Sequence, residues 1–368
     1  MSFSIGIVGL PNVGKSTLFK ALTKIKVDIA AYPFTTIHPN VGVVRVPDER
    51  LDKIAQAVCP EKITPTIIEF VDVAGLVKGA YKGEGLGNQF LAQIRNCDAI
   101  LEIVRGFEDK NIEHVMGEIN PQRDMETIKV ELLMKDLETL EQSLSKIEKE
   151  RQDKRIIKKI ELIKKIKDWI SQGKLISELN LTAKEQLEIK EYQFLTAKPI
   201  LYLLNTNPRH PPTTQSKYST TEPPSMEAKV KKRTKTSSPL GVDYLETNLK
   251  DEEELSEWSR EEKNELGIQS KLDQLIVDCY DTLDLITFFT VAGLKETRAW
   301  TLKNGQTTPE AGGVVHSDFQ EKFIRAEVIS WQKLVEAGNW KKAKELGQLK
   351  TVGKDYIVQD GDIIEFKI

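Results

Sequence analysis

The sequence predicts an α/β fold with a mostly parallel sheet, a helical hairpin inserted into it and a small α+β domain at the end of the chain. Three observations support this prediction. Short aliphatic runs alternate with helical periodicity in the first part of the chain, a long proline-free stretch of charged helix interrupts them, and the final stretch alternates like strands. A chain of 368 residues is long enough for two or three domains.

The composition is that of a globular protein without a chain-wide charge bias. Hydrophobic residues make up 39% and charged residues 30% of the chain, which is enough apolar material for packed cores. The 53 basic and 56 acidic side chains leave a formal net charge of −3. Binding to a nucleic acid or to an anionic membrane would therefore depend on a local basic patch.

Targeting signals and cysteine pairs are not apparent in the sequence. The three cysteines lie far apart without the spacing of metal ligands, which argues against a disulfide scaffold and against structural zinc. The first residues lack the basic segment of a secretory leader, and no stretch approaches 18 uninterrupted apolar residues. We expect a monomeric, cytoplasmic protein that does not associate with membranes.

The first strand is predicted over residues 3–9, where an apolar run meets a glycine-rich loop. The spacing of Leu18, Leu22 and Ile25 indicates that a helix follows. Short β-branched or aliphatic runs predict further strands over residues 41–46, 67–73, 99–104 and 200–204. Because helical segments separate the strands, we expect a mostly parallel sheet with helices on both faces, formed by residues 1–122 and 197–284.

Residues 123–196 are predicted to form a coiled-coil hairpin. Apolar residues recur at three- and four-residue spacing along two stretches on either side of the polar RQDKR segment. They are Leu133, Leu137, Leu140, Leu144 and Ile147 in the first stretch, and Ile156, Ile160, Ile163 and Ile170 in the second. The two helices could fold back as an antiparallel pair. Their dense charges are most simply a solvated outer face, and the alternative is a surface for a partner.

Residues 206–250 have an atypical composition. Proline, serine, threonine and lysine dominate the segment and large apolar residues nearly vanish, so we expect disorder. An acidic, helix-prone stretch follows. Residues 285–368 then alternate like strands around two short helical segments, which predicts the small α+β domain.

The strongest motif is a phosphate-binding loop. Residues 9–16, GLPNVGKS, form an unbroken GxxxxGKS between a predicted strand and a predicted helix. Glycine lets backbone N–H groups turn toward a phosphate, Lys15 reaches the β- and γ-phosphate oxygens, and Ser16 offers a hydroxyl to Mg²⁺. A glycine-rich turn that binds nothing would leave this lysine and serine unexplained. The predicted nucleotide-binding residues of the loop are Asn12, Val13, Gly14, Lys15, Ser16 and Thr17.

A second element is expected on the metal side of the phosphates. Asp72 and Gly75 form a DxxG at the end of a predicted strand, where the carboxylate can hold a metal-bound water and the glycine amide can contact a γ-phosphate. Alone, DxxG is equally an ordinary strand-end turn, but its position after a phosphate-binding loop favours the metal side. Thr36 in the YPFTT segment could also coordinate Mg²⁺, and the alternative is a plain loop threonine. The predicted magnesium ligands are thus Ser16, Thr36 and Asp72.

Several segments resemble the YchF or Obg-like ATPase family of translation-factor-related P-loop NTPases. They are GIVGLPNVGKSTLFKALT, YPFTTIHPNVGVVRVPDERL, VDVAGLVKGAYKGEGLGNQFLAQIRNCDAI and RGFED. The stretch that begins ITFFTVAGLKETRAW is similar to the family's TGS domain, a ubiquitin-like β-grasp module. The resemblance covers residues 1–205 and 266–368. It implies an OBG-type P-loop NTPase domain together with a coiled-coil hairpin and a TGS domain. By the same resemblance, such proteins hydrolyse ATP with Mg²⁺, in some members also GTP, and associate with ribosomes.

The resemblance also bears on the hydrolytic step. Leu76 follows the DVAG segment, where many GTPases place a glutamine that orients the attacking water. His114 matches a family histidine proposed for that role, and an imidazole can accept a proton from water near neutral pH. The alternative is a histidine that only satisfies a loop. We read His38 and His316 as structural, and His210 falls in the segment expected to be disordered.

The sequence departs from the family at the base. The family carries Asn-x-x-Glu where true GTPases carry Asn-Lys-x-Asp, whereas this chain reads Asn205-Thr206-Asn207-Pro208, so the asparagine is kept and the glutamate is not. The family's next strand, with a Ser-Ala turn against the base, is not recognisable. Either this is natural divergence or residues 206–250 reflect an imperfect gene model, and recognition of the base stays open.

Three functions are therefore compared. The leading one is a ribosome-associated ATPase that acts as a switch in translation or stress response. Its candidate ligands are ATP and ADP, and also GTP and GDP. We expect slow turnover because the water-orienting glutamine is absent. The second is a nucleotide-independent module that binds ribosomes or proteins with a degenerate base pocket. The third, a metabolic kinase, lacks a visible acceptor site and lid arginines.

Overall fold

A computed structural model of the chain describes residues 3–24, 40–73, 87–147, 154–207, 240–258, 262–263, 268 and 270–368. The strands are β1 (Ser4–Val8), β2 (Val41–Arg45), β3 (Lys62–Thr64), β4 (Ile67–Asp72), β5 (Ala99–Arg105), β6 (Ile200–Asn205), β7 (Tyr244–Thr247), β8 (Leu285–Val291), β9 (Glu296–Lys303), β10 (Arg325–Ser330), β11 (Lys350–Val352) and β12 (Asp362–Lys367). The helices are α1 (Lys15–Thr23), α2 (Glu49–Val58), α3 (Gly87–Arg95), α4 (Pro121–Ile147), α5 (Lys154–Ser171), α6 (Ala183–Ile189), α7 (Leu249–Leu255), α8 (Leu272–Thr282), α9 (Thr308–Val315), α10 (Ser317–Glu321), α11 (Trp331–Ala337) and α12 (Trp340–Glu345). None of these helices is long and apolar enough to cross a membrane.

The first sheet has six strands in the order β2-β4-β1-β5-β6-β7. Strand β2 runs antiparallel to β4, and the remaining neighbours are parallel. All five predicted strands are present, and the predicted mostly parallel sheet is confirmed. Every residue of β5 is buried, as expected for a central strand that helices cover on both faces. The carboxyl ends of β1, β5 and β6 therefore lie at one edge of the sheet.

The expectation of disorder over residues 206–250 is wrong for its last part. Strand β7 pairs in parallel with β6, from Tyr202 opposite Tyr244 to Asn205 opposite Thr247. Asn248 then caps α7, because its Oδ1 accepts the backbone N–H groups of Lys250 (2.9 Å) and Asp251 (3.1 Å). The polar composition before it hid this four-residue edge strand, which lies beside β6 in the first sheet. Residues 208–239 lie outside the described residues.

The helical insertion packs in two halves. The first half of α4 belongs to the sheet, since Ile128 and Leu132 are buried in the same apolar cluster as β1 and β5. The second half packs against α5, with Leu140 and Ile163 buried in a separate cluster. Seven of the nine predicted stripe residues lie in this cluster, and the exceptions are Ile156 and Ile160. Whether the pair supercoils stays a prediction. The start predicted at residue 123 falls within α4 itself.

One buried carboxylate fixes the return of the chain from the insertion to the sheet. Asp136 on α4 is fully buried, and its two oxygens accept hydrogen bonds from the backbone N–H groups of Leu195 (2.9 Å) and Thr196 (2.7 Å). The hydroxyl of Thr196 donates a third bond at 2.7 Å. Burial raises the pKa of Asp136, and these three donors act against that rise. The bonds hold the chain in place shortly before β6 begins.

The second sheet also has six strands, in the order β11-β10-β12-β8-β9-β3. Five of them come from residues 285–368, as the predicted α+β domain requires. One face of the sheet packs against α9 through buried Phe288, Ala311 and Val328. The other face packs against α11 and α12 through residues that include Phe289 and Leu334.

Residues 49–64 join this second sheet rather than the first, which corrects the division of the chain expected from the sequence. Strand β3 pairs in parallel with β9, from Lys62 opposite Glu296 to Thr64 opposite Arg298. Helix α2 buries its apolar face on the same sheet; the side chains concerned are Leu51, Ile54 and Val58. The periodicity of α2 is visible in the sequence, but nothing local identifies a partner that begins at Leu285.

A buried ion-pair cluster connects α2 to the second sheet. Arg50 donates two hydrogen bonds to Asp48, from Nε to Oδ1 at 2.9 Å and from Nη2 to Oδ2 at 2.8 Å. Its Nη1 lies 3.0 Å from Oδ2 of Asp360, whose other oxygen accepts the backbone N–H of Thr287 at 2.9 Å. The guanidinium also lies over the ring of Phe289. This cluster joins the beginning of α2 to β8 and to the turn before β12.

We expect Ile54→Ala to lower the free energy of unfolding by about 2–5 kcal/mol, because a fully buried side chain leaves a cavity between α2 and the second sheet. Denaturant unfolding measures the change. Gln56→Ala is the matched control, since Gln56 is an exposed residue of the same helix and its loss should stay within about 0.5 kcal/mol. A loss below 1 kcal/mol for Ile54→Ala would contradict the packing described here.

Candidate functional site

The phosphate-binding loop leads from β1 into the amino terminus of α1. Gly14 has φ 107° and precedes the first helical residue, and its carbonyl accepts the N–H of Leu18 at 3.0 Å. A Cβ atom on Gly14 would lie 2.6 Å from Nδ2 of Asn205, and one on Gly9 would lie 2.6 Å from the carbonyl oxygen of Ile103. Only glycine fits at either position. Asn12 adopts φ 63°, a left-handed conformation that asparagine tolerates well.

Lys15 is buried within this loop. Its Nζ donates to the carbonyl oxygens of Gly9 (3.0 Å) and Leu10 (2.8 Å). Burial lowers the pKa of Lys15 to about 8, and the carboxylate of Asp72 acts against that change. Burial in turn raises the pKa of Asp72, and the lysine opposes it. Both charges are thus held in a partly dehydrated place where an anion beside Lys15 and a cation beside Asp72 would each be stabilised.

A cavity of about 420 Å³ opens at this loop, a volume typical of a small-molecule site. At one end it is lined by the phosphate-binding loop and the first turn of α1. The other walls come from the loop after β5, from the end of β6 and from the turn into α7. The lining residues are Asn12, Gly14, Lys15, Ser16, Thr17, Phe107, Glu108, Asp109, Ile112, Asn205, Thr206, Asn207, Asn248, Leu249 and Lys250. Five of the six predicted phosphate-loop residues line it; the exception, Val13, is buried behind the loop.

Asn205 connects two of these walls. Its Nδ2 donates to the carbonyl oxygen of Val13 at 2.9 Å, and its Oδ1 accepts the N–H of Leu249 at 3.0 Å. The side chain is buried and lies between the phosphate-binding loop and the turn into α7. The sequence predicts a nucleotide-binding residue here, and the structure adds that the amide holds the cavity together.

The loop after β5 and the turn into α7 are cavity walls that sequence reasoning missed. Gly106 donates its N–H to the carbonyl oxygen of Asn205 at 2.8 Å, and Glu108 donates its N–H to Oδ1 of Asn207 at 3.0 Å. Asp109 lies 3.7 Å from Nζ of Lys250. The signal available was their location, because RGFED follows a buried parallel strand and ligands bind at the carboxyl edge of such sheets.

The predicted metal-side residues are described only in part. Asp72 ends β4, and the register that pairs it with Ile7 places it beside the strand that leads into the phosphate-binding loop. Ser16 is exposed at the cavity. Thr36, Gly75, Leu76 and His38 lie outside the described residues.

Comparisons with known proteins agree with this geometry. The family model MMR_HSR1, described as a 50S ribosome-binding GTPase, matches residues 4–157, and the model YchF-GTPase_C, described as a protein of unknown function (DUF933), matches residues 285–368. The Ribosome-binding ATPase YchF of Bacillus subtilis (strain 168) is 44% identical over 374 residues, which cover 100% of this chain and 99% of that protein. The chain belongs to the YchF family.

Two further YchF proteins show the extent of the likeness. The Ribosome-binding ATPase YchF of Escherichia coli O157:H7 is 43% identical over 373 residues, and the match covers 100% of this chain and 99% of that protein. The solved structure of the Schizosaccharomyces pombe YchF GTPase has a TM-score of 0.81 and 33% identity, and the match covers 100% of this chain and 98% of that one. The predicted family, the α/β fold class and the nucleoside triphosphatase class are thereby confirmed.

His114, the histidine that resembles a YchF family residue, is engaged at both ring nitrogens. Its Nε2 lies 2.8 Å from Oδ2 of Asp124, and its Nδ1 accepts the backbone N–H of Met116 at 3.1 Å. Both side chains of the His114–Asp124 pair are almost fully buried. His114 is not among the residues that line the cavity. In this arrangement the histidine orders the chain before α4 and offers no free nitrogen to water. His316 is exposed and caps α10 by accepting the N–H of Asp318, as its structural interpretation expects.

We expect the affinity for ATP to fall about ten-fold between pH 7 and pH 9, because Lys15 has a pKa of about 8 in the free protein and a bound phosphate would raise it. Well below pH 8 the ammonium is already protonated and affinity is constant, whereas near and above pH 8 binding must take up a proton. Calorimetry in two buffers of different ionisation enthalpy measures that uptake at pH 8. An affinity independent of pH, with no proton uptake, would contradict the prediction.

Proposed function

We propose that this YchF protein is a ribosome-associated P-loop NTPase that binds and slowly hydrolyses ATP and acts as a nucleotide-dependent switch in translation or stress response. The observation that carries the proposal is the cavity at the amino terminus of α1, where Lys15 and Ser16 meet the walls built around Asn205. Backbone N–H groups and the helix dipole at such an end favour the phosphates of a nucleotide.

Selectivity for the base is proposed to be weak. Pro208 stands where a true GTPase places the carboxylate that reads guanine. The neighbouring Asn207 already accepts the N–H of Glu108. The names of the relatives do not decide the matter, since they include both a YchF ATPase and a YchF GTPase. We therefore expect ATP and GTP to bind within about ten-fold of one another, or about 1.4 kcal/mol.

Mg²⁺ is proposed as the cofactor. The residues fit a hard cation, because Ser16 presents a hydroxyl at the cavity and Asp72 holds a carboxylate whose pKa is raised by burial and which a nearby cation would stabilise. Thr36 is proposed as a further ligand. When bound, Mg²⁺ would supply charge neutralisation to the triphosphate.

The ribosome is proposed as the partner because relatives carry the name Ribosome-binding ATPase YchF. We propose that basic residues of the hairpin contact it; they are Lys154, Arg155, Lys158, Lys159, Lys164, Lys165 and Lys167. Lys159, Lys165 and Lys167 each pair with a glutamate, which reduces the positive charge available on that surface. The domain at residues 285–368, which we propose to be a TGS domain, is therefore a second candidate surface. We further propose that the protein is a cytoplasmic monomer.

The test compares the wild type with Lys15→Ala. We expect the variant to lose ATP binding and turnover, because neighbouring amides cannot replace the full charge of the ammonium, and to lose the ATP dependence of co-sedimentation with ribosomes. Lys20→Ala is the matched control, since it removes an exposed lysine from the same helix. Ribosome binding that responds neither to ATP nor to Lys15→Ala would support the alternative, a nucleotide-independent binding module.

His114 is proposed as the group that orients the attacking water, which requires its ring to leave Asp124 and turn to the cavity. His114→Ala should then lower kcat ten-fold or more with unchanged ATP affinity, whereas Asp124→Asn, which keeps an acceptor for Nε2, and Asp124→Ala should retain most of kcat. Single-turnover kinetics and denaturant unfolding separate the two effects. Equal losses of kcat and stability in His114→Ala and Asp124→Ala would assign the histidine a purely structural role.

A further inference from the structure

Arg105, the last residue of β5, is a buried cation with an unusual set of partners. Its exposed fraction is 1%, which makes it one of the largest fully buried side chains of the described residues. Nε donates to the carbonyl oxygen of Phe107 (3.1 Å), Nη2 to that of Ile112 (2.8 Å) and Nη1 to that of Glu113 (3.4 Å). Across the described ranges, all hydrogen bonds of this guanidinium go to backbone carbonyls.

Such an arrangement needs a reason, because a buried charge without a carboxylate is costly and an apolar residue would fill the same volume. The carbonyls that Arg105 binds belong to one loop without regular structure, residues 106–113, and those of Ile112 and Glu113 lie five and six residues after that of Phe107. A planar fork of five N–H donors can satisfy carbonyls that converge from different points, whereas a lysine ammonium is a compact charge. Arg105 thus determines the shape of this loop.

The same loop is a wall of the nucleotide cavity. Phe107, Glu108, Asp109 and Ile112 all line it. The ring of Phe107 lies on the guanidinium of Arg105, with 4.4 Å between the ring centroid and Cζ. Arg105 itself does not line the cavity, so it lies behind the wall.

The loop is also tied to the other walls. The carbonyl oxygen of Glu113, which Arg105 binds, accepts a second bond from Nδ2 of Asn12 in the phosphate-binding loop at 3.4 Å. At its other end, Gly106 donates to the carbonyl oxygen of Asn205. One guanidinium therefore binds the carbonyl oxygens of a loop that contacts both the phosphate-binding loop and the end of β6.

We propose that Arg105 is a positioning residue for nucleotide binding, which holds the wall of residues 106–113 against the nucleoside half of the bound nucleotide. The inference rests on the proposed function, that this cavity takes a nucleoside triphosphate. Arg105 acts through the wall and touches neither the phosphates nor the reacting atoms. It therefore contributes to affinity for the nucleoside part and leaves the chemical step and the phosphate end unaffected.

The experiment uses Arg105→Met, which removes the donors and keeps most of the volume, and Arg105→Lys, which keeps the charge and loses the fork. We expect both to raise the KM and the Kd for ATP ten-fold or more and to change kcat less than three-fold. The affinity for pyrophosphate, measured by competition with a fluorescent ADP analogue, should change less than two-fold, because the phosphate-binding loop is built by β1 and α1. Should the methionine variant fail to fold, the lysine variant carries the test.

Arg50→Lys is the matched control for lost stability, since Arg50 is also a buried arginine that donates several hydrogen bonds, but it lies at the second sheet. Measurements are made where circular dichroism shows all variants to be folded. The proposal would be overturned if both Arg105 variants bound ATP within two-fold of wild type, or if Arg105→Lys alone bound ATP with wild-type affinity. It would also be overturned if the affinity for pyrophosphate fell as much as the affinity for ATP, or if Arg50→Lys raised the Kd for ATP by the same factor. A wild type that binds pyrophosphate but no nucleotide would instead refute the proposed function.

Discussion

The amide of Asn205 is the interaction on which the cavity depends. It bonds the carbonyl of Val13 on one side and the N–H of Leu249 on the other, so it joins the phosphate-binding loop to the turn into α7. Both partners would be left without a bond if the amide were absent, at about 1–3 kcal/mol for each buried group. Its position also explains Gly14, whose missing Cβ leaves room for this side chain. The parallel sheet supports the arrangement, because it brings the ends of β1 and β6 to the same edge.

Local sequence patterns predicted most strands of the first sheet. The strands that they did not predict depend on pairing with residues far away in the chain. Strands β1 and β5 consist mostly of aliphatic residues, so their sequence alone indicates burial. Strand β7 has four residues and follows a polar segment, which made its neighbourhood read as disordered. Strand β3 has three residues, two of them exposed, and its existence depends on a partner, β9, that the chain reaches much later. A short edge strand carries no pattern of its own.

The same distinction applies to the site: some of its residues follow from a sequence motif, and others follow only from their position in the fold. Lys15 and Ser16 follow from spacing, because the phosphate-binding loop is encoded by contiguous residues. Arg105 and Phe107 lie in the RGFED segment that resembles the family, but that segment alone assigns them no role, because their roles arise from where β5 ends. The structure adds a contrast between two buried cations. Lys15 and Arg105 both bind backbone carbonyls. The partners of Lys15 lie in the phosphate-binding loop, where a phosphate can replace them. The partners of Arg105 belong to residues 106–113, which form a wall of the cavity. One cation can exchange its partners and the other keeps the site in shape.

The contribution of α2 and β3 to the second sheet has a consequence for synthesis. A nascent chain completes α2 at Val58, but apart from β3 the strands of the sheet that covers Leu51 and Ile54 do not begin until Leu285. During most of its elongation the protein therefore carries an apolar helix face without its partner, a condition that favours aggregation or capture by a chaperone. A chain truncated before its last domain would keep that face exposed permanently. Synthesis of the final residues thus decides whether the apolar face of α2 is buried or stays exposed to other molecules.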